Sequence, residues 1–94
     1  MLTALSWTAR RSPDDLYPPA SIRMGEEGVA TVRVCVGPNA KVVGTPEVTS
    51  STGYPRLDQA AIAWTRDALV YKAATEDGRP VEACKGFKVT FDLK

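Results

Sequence analysis

The sequence predicts an α+β domain: a small three-stranded antiparallel sheet in the order 2-1-3, with a main helix packed on one face and a short helical turn near the N-terminus. Three observations predict it. Residues 81–93 (VEACKGFKVTFDL) alternate, with Val81, Ala83, Phe87, Val89, Phe91 and Leu93 on one side and Glu82, Cys84, Lys88, Thr90 and Asp92 on the other; only Lys85 is out of place. Residues 29–36 alternate in the same way, Ala30, Val32, Val34 and Val36 against Thr31, Arg33 and Cys35. Between these runs, Leu57, Ala60, Ala61, Trp64 and Ala68 recur at helical spacing. A period of two marks a strand with one buried face, and a stripe at the helical period marks a helix that covers it.

In chain order, residues 1–12 read as a flexible leader and residues 13–94 as the domain. The apolar core of the leader is too short for a signal peptide, so any export or anchoring segment is expected outside this sequence. Residues 14–19 (DDLYPP) form an extended lead-in, because each proline biases its predecessor toward extended backbone. A helical turn follows, with Pro19 at its start and Gly25 at its end. Gly25-Glu26-Glu27-Gly28 is then a turn of solvated carboxylates, without the lysine or spacing of a phosphate loop. Gly37-Pro38-Asn39-Ala40 is dense in turn formers, so residues 41–49 return as the hairpin partner of the first strand. That second strand contains Pro46, which cannot donate to a ladder and therefore belongs on an outer edge. Residues 50–55 (SSTGYP) break the pattern and start the main helix, with Thr52 as a capping residue and Pro55 in the first turn. Asp58 is read as a first-turn carboxylate complementing the helix dipole, and Trp64 as core packing. Residues 69–74 leave the helix, and residues 76–80 turn into the last strand.

Composition narrows the function classes. With 94 residues the chain has room for one modest core. A net charge of +1 with interleaved signs carries no basic patch, so no nucleic-acid or anionic-membrane partner is expected. No run approaches the roughly 18 apolar residues of a membrane span. The chain has no histidine, and Ser50 and Ser51 have no evident activator, so no catalytic constellation is assembled and no enzyme is expected. Two cysteines without histidine or close spacing make a poor metal site; neither metal nor cofactor is expected.

The cysteines fit the topology instead. A last strand that pairs with the first runs antiparallel to it, which brings Cys35, late in the first strand, near Cys84, early in the third. Both fall on the polar face, so a cross-strand disulfide is geometrically reasonable, and with it an oxidising compartment.

The ordered set Tyr17-Pro18, Gly28 opening a hairpin, Ser51-Thr52-Gly53 with Leu57-Asp58 and Ala60-Ala61, then Gly78-x-Pro80-Val81 leading to Phe91-x-Leu93, resembles the TonB C-terminal domain family over residues 17–93. The resemblance implies the periplasmic end of an energy transducer in Gram-negative envelopes. It implies that the domain docks the short TonB box of an outer-membrane transporter as an added strand on its last strand. The inner-membrane energising complex would be reached only through an anchor and proline-rich spacer outside this sequence. Three departures accompany the likeness. Leu69-Val70-Tyr71 and Ala73 replace the aromatic pair and proline usual at the helix end, the tryptophan having moved to Trp64; Asp14, Asp15 and Leu16 stand where some relatives use an amide; and the anchor and spacer are not in the sequence.

The residues themselves lead to the same surface. Pro46 closes one edge of the sheet, which leaves the last strand as the open one, and an unpaired strand is either protected or used. Expected partner contacts are Asp14, Leu16, Tyr17, Lys85, Phe87, Lys88, Val89, Thr90 and Phe91, with Lys85 and Lys88 serving equally well as edge protection. The alternative is an interaction module that pairs with a second copy as a strand-exchanged homodimer, or with a Tol-type partner, since the TolA C-terminal domain has a similar architecture.

Overall fold

The computed structural model describes residues 1–93; Lys94, the last residue of the expected domain, lies outside the described residues. In chain order the elements are β1 (Leu2–Thr3), β2 (Ser6–Ala9), a 3-10 turn (Pro13–Leu16), α1 (Pro19–Met24), β3 (Gly28–Val36), β4 (Glu47–Ser50), α2 (Pro55–Ala63), a π turn (Trp64–Ala68), β5 (Leu69–Lys72), β6 (Ala74–Glu76), β7 (Arg79–Val81) and β8 (Ala83–Phe91). The fold is α+β with antiparallel sheets and one main helix. The main sheet has the order β4-β3-β8, which is the expected order 2-1-3.

The long ladder of the molecule joins β3 and β8, from Gly28 opposite Phe91 to Val36 opposite Ala83. Ala30, Val32, Val34 and Val36 on β3 and Phe87, Val89 and Phe91 on β8 point into the core. Leu57, Ala60, Ala61, Trp64 and Ala68, the stripe of the helical segment, cover them. The start of β3 lies so close to the loop before α2 that a Cβ on Gly28 would stand 2.9 Å from that of Thr52. Glycine is required there by contact, not by backbone conformation.

α2 is not capped by Thr52. The capping position is Tyr54, whose side chain makes no cap bond. Asp58 reaches back instead, accepting from the Thr52 amide at 2.9 Å, the Thr52 hydroxyl at 2.7 Å and the Ser51 hydroxyl at 2.5 Å. It therefore ties the loop to the helix, more than the dipole role expected of it. Partial burial would raise the Asp58 carboxyl, but the three hydrogen bonds together outweigh it and hold the group below the usual carboxylate range. At the other end, Thr65 is fully buried and shares its hydroxyl between the carbonyls of Ala61 and Ile62. Such back-bonding loosens the helical ladder where it widens into the π turn.

Two expected elements are redrawn: β4 spans Glu47–Ser50 where residues 41–49 were expected, so Pro46 precedes the strand and Val42 makes only an isolated bridge to Val36, and the expected extended lead-in over residues 14–19 begins as the 3-10 turn. Three further regions differ from the sequence reading. The final strand does not begin at residue 81. Asp77 and Gly78 take positive φ (52° and 82°), the backbone of a tight two-residue hairpin, so β7 folds back on β6 and Val81 faces Ala74; β8 starts only after Glu82. Secondly, residues 1–12, expected as a flexible leader, carry paired backbone. β1 joins β6 and β7 in a second small sheet, and β2 pairs with β5 in a third, Ser6 opposite Lys72 and Trp7 opposite Tyr71. Leu5 between them is buried. Thirdly, Glu26 is not solvated. It is 7 % exposed and accepts from the fully buried Ser21 hydroxyl at 2.7 Å, which fastens the end of α1.

Candidate functional site: the outer edge of β8

No strand pairs with the outer side of β8 among the described residues. Which of its backbone groups face that side follows from the register. In an antiparallel pair, residues whose amide and carbonyl face the partner alternate with residues whose groups face away. The Cys35 carbonyl accepts from the Val43 amide at 2.9 Å, so it points toward the β4 side and away from β8. The Thr31 carbonyl also faces β4, accepting from the Thr49 hydroxyl. Cys35 and Thr31 therefore lie opposite Cys84 and Lys88 in pairs that exchange no backbone bonds. It follows that Cys84, Gly86, Lys88 and Thr90 aim their amides and carbonyls at the open edge, while Lys85, Phe87, Val89 and Phe91 commit theirs to β3. The Cys35–Cys84 disulfide, with its Cα atoms 3.9 Å apart, occupies one of the narrow pairs.

The expected contact residues divide accordingly. Phe87, Val89 and Phe91 spend their side chains in the core. Lys88 and Thr90 are exposed on the opposite face and also carry outward backbone. Asp14 and Leu16 lie on the 3-10 turn, which packs beside the far end of β8. Tyr17 is the link: its ring stands edge-on to Phe91 at 5.3 Å, and its hydroxyl donates to the Glu26 carbonyl. Burial first, then the carboxylates of Glu27 and Asp92, push its phenol up, so Tyr17 serves as a neutral anchor. Lys85 is at the near end, half-buried, with its Nζ 4.8 Å from the centre of the Trp7 ring.

Sequence reasoning did not single out three residues that lie at this edge. Cys84 and Gly86 supply two of the four outward backbone positions. Trp7 packs edge-on against Phe87 at 4.9 Å. The first two were accessible in principle, since a disulfide across antiparallel neighbours marks a pair without backbone bonds and so sets the parity of the whole strand. For Trp7 the signal was the alternation of Leu5, Trp7 and Ala9 with Ser6 and Thr8, too short to stand alone.

The other edge is built differently. β4 has four residues, its register against β3 shifts between Thr31 and Val32, and Gly44 and Pro46 precede it. The main sheet thus has one short, irregular edge and one long, regular edge.

An antiparallel sheet in the order β4-β3-β8, backed by one main helix, with a long flank that no described strand covers, defines a small α+β domain. The chain belongs to the family of Gram-negative bacterial TonB protein C-terminal domains, whose pattern matches residues 13–93. Comparison with curated proteins and with solved structures gives no match. The family is that of the periplasmic, energy-transducing TonB-type domains.

Proposed function

We propose that this domain is a periplasmic adaptor of a TonB-type energy-transduction system, and that it docks the TonB box of an outer-membrane transporter by strand addition to β8. The observation that carries the reading is the run of four outward-facing backbone positions, Cys84, Gly86, Lys88 and Thr90, on an edge that no described strand covers. An extended peptide laid there gains a main-chain ladder, and its alternate side chains set selectivity. Its contact area is small, which suits a weak and reversible encounter. Lys85 and Lys88 favour an acidic residue in the box, and Asp14 and Asp15 set the opposite sign near the far end. The domain does no chemistry of its own in this reading; force reaches it through segments beyond this chain.

Titration with a synthetic box peptide, followed by backbone amide shifts, tests the proposal. The largest shifts are expected at Cys84, Gly86, Lys88 and Thr90. Shifts confined to Glu47–Ser50, or none with any box, would remove it. The same free edge also fits a second copy of the chain. A solution mass that rises with concentration, together with loss of peptide binding, would favour the homodimer.

A further inference from the structure

We infer that the segment before the family-matched region is part of the docking surface: Trp7 forms a floor beneath the open edge of β8 and contacts a side chain of the strand added there. The inference rests on the docking proposal and adds a residue that the family match, which begins at residue 13, does not include.

The placement of Trp7 follows from three contacts. Trp7 and Tyr71 are directly opposed in the β2–β5 ribbon, so both rings project from one face of it. Both rings meet Phe87 edge-on, Trp7 at 4.9 Å and Tyr71 at 6.2 Å. Tyr71 is 7 % exposed and Trp7 is 41 % exposed. Tyr71 therefore lies on the inner side of Phe87, under the sheet, and Trp7 on the outer side, toward the flank of β8 that has no partner. Lys85 comes down over the same indole from the core-facing side of β8.

A strand added at this edge must send alternate side chains to that core-facing side, beside Lys85 and Phe87. The residue facing that pair arrives over Trp7. The indole offers a large, rigid apolar surface at little entropic cost, and aromatic residues of this kind dominate small interfaces. Lys85, which covers the indole, also borders a groove of about 330 Å³ at the start of β8, lined by Leu2, Leu5, Ala74, Val81 and Ala83 beside Thr3 and Glu82. The occupant fitted by this geometry is an extended peptide with an apolar side chain directed at the indole. An open row of amides alone would select only for an extended backbone; Trp7 adds a reading of one side chain.

Trp7 is also the accessible one of the two tryptophans. Trp64 is 8 % exposed, with its indole N–H held by the Arg11 carbonyl at 2.8 Å. Acrylamide quenching of the unmodified chain therefore reports on Trp7, and binding of a synthetic transporter box peptide is expected to reduce it. A glycine scan of that peptide, measured against the native chain and against W7A, gives the decisive comparison. W7A is expected to weaken binding about fivefold or more. Glycine at one peptide position is expected to weaken binding to the native chain but not to W7A, the non-additivity expected of two side chains in contact. W7F, which keeps a ring against Phe87, separates loss of contact from loss of fold. Unchanged quenching with additive effects, while the β8 amides still shift, would overturn the role of Trp7 and leave strand addition standing. No shift at the β8 edge with any box peptide would remove both.

Discussion

The two edges of the main sheet both belong to antiparallel strands paired with β3, and they differ in length and regularity. β4 is short and shifted in register, and it follows a left-handed Gly44 and a proline. β8 runs nine residues in unbroken register with β3 and contains no proline. An irregular edge offers a visiting strand too few aligned donors and acceptors, whereas a regular one is a template. Sheet edges are therefore distinguished by the regularity of their backbone and only secondarily by their side chains. The covalent tie Cys35–Cys84 sits at the start of the regular edge, and removing it is the largest single perturbation available. The disulfide joins residues 49 apart, so in the chain-entropy account its loss costs about 4 kcal/mol. Denaturant unfolding of the oxidised chain against the C35S/C84S double variant is expected to show a loss of that size, with fraying concentrated at the Ala83 end of the β3–β8 ladder.

The alternation of backbone groups along β8 gives the next test. Val89→Pro removes a donor committed to β3 and leaves its buried acceptor unpaired, which is expected to cost about 1–3 kcal/mol. Lys88→Pro removes a donor that faces outward, the position where an edge strand accepts proline. It is expected to remain folded and to lose peptide binding. A V89P variant as stable as K88P would show that the parity assigned here is reversed. Hydrogen exchange on the native chain checks the same point without mutation: the amides of Phe87 and Val89 exchange slowly, and those of Gly86, Lys88 and Thr90 quickly.

The main sheet was legible in the sequence because each of its strands announces itself locally. β3 and β8 each alternate over a long run, and turn formers bound the first hairpin; the extent of β4 was not legible, since Pro46, expected inside that strand, lies just before it. α2 was legible from its alanine-rich stripe. What could not be read were strands of two to four residues whose partners lie at the far end of the chain. Leu2 pairs with Glu76 and Ser6 with Lys72, and no periodicity inside LT or SWTA points to such a partner. The same reason hid the placement of Trp7 against Phe87. The edge itself was visible, but its outward half was not separated from its inward half, so Phe87 and Val89 were grouped with Lys88 and Thr90.

Asp58 supports the open edge indirectly. It holds the Ser51–Thr52 loop, which lies against Gly28 at the end of the β3–β8 ladder. Because its folded-state carboxyl is held below the ordinary carboxylate range, its contribution is fully present above the unfolded value near pH 4 and is lost as pH falls through the folded value. D58N is expected to cost about 1 kcal/mol at neutral pH, in the range of a lost capping interaction. The gap between variant and native chain should close on acidification below about pH 4. A gap that stays constant through that window would mean the carboxylate charge is not what the loop uses.

The smallest expected effect is at Pro46, and it bears most directly on why the edges differ. Pro46 lies just before β4 and outside its ladder, so P46V should change stability by no more than about 0.5 kcal/mol. It should also leave β8 as the site of peptide addition. The register shift at Thr31/Val32 and the left-handed Gly44 remain in that variant, and either is enough to keep donors and acceptors of the edge out of line. If P46V instead gave peptide-induced amide shifts along Glu47–Ser50, a single missing N–H would have been the only barrier on that side. Irregularity would then be incidental, and the choice between the two edges would rest on one residue.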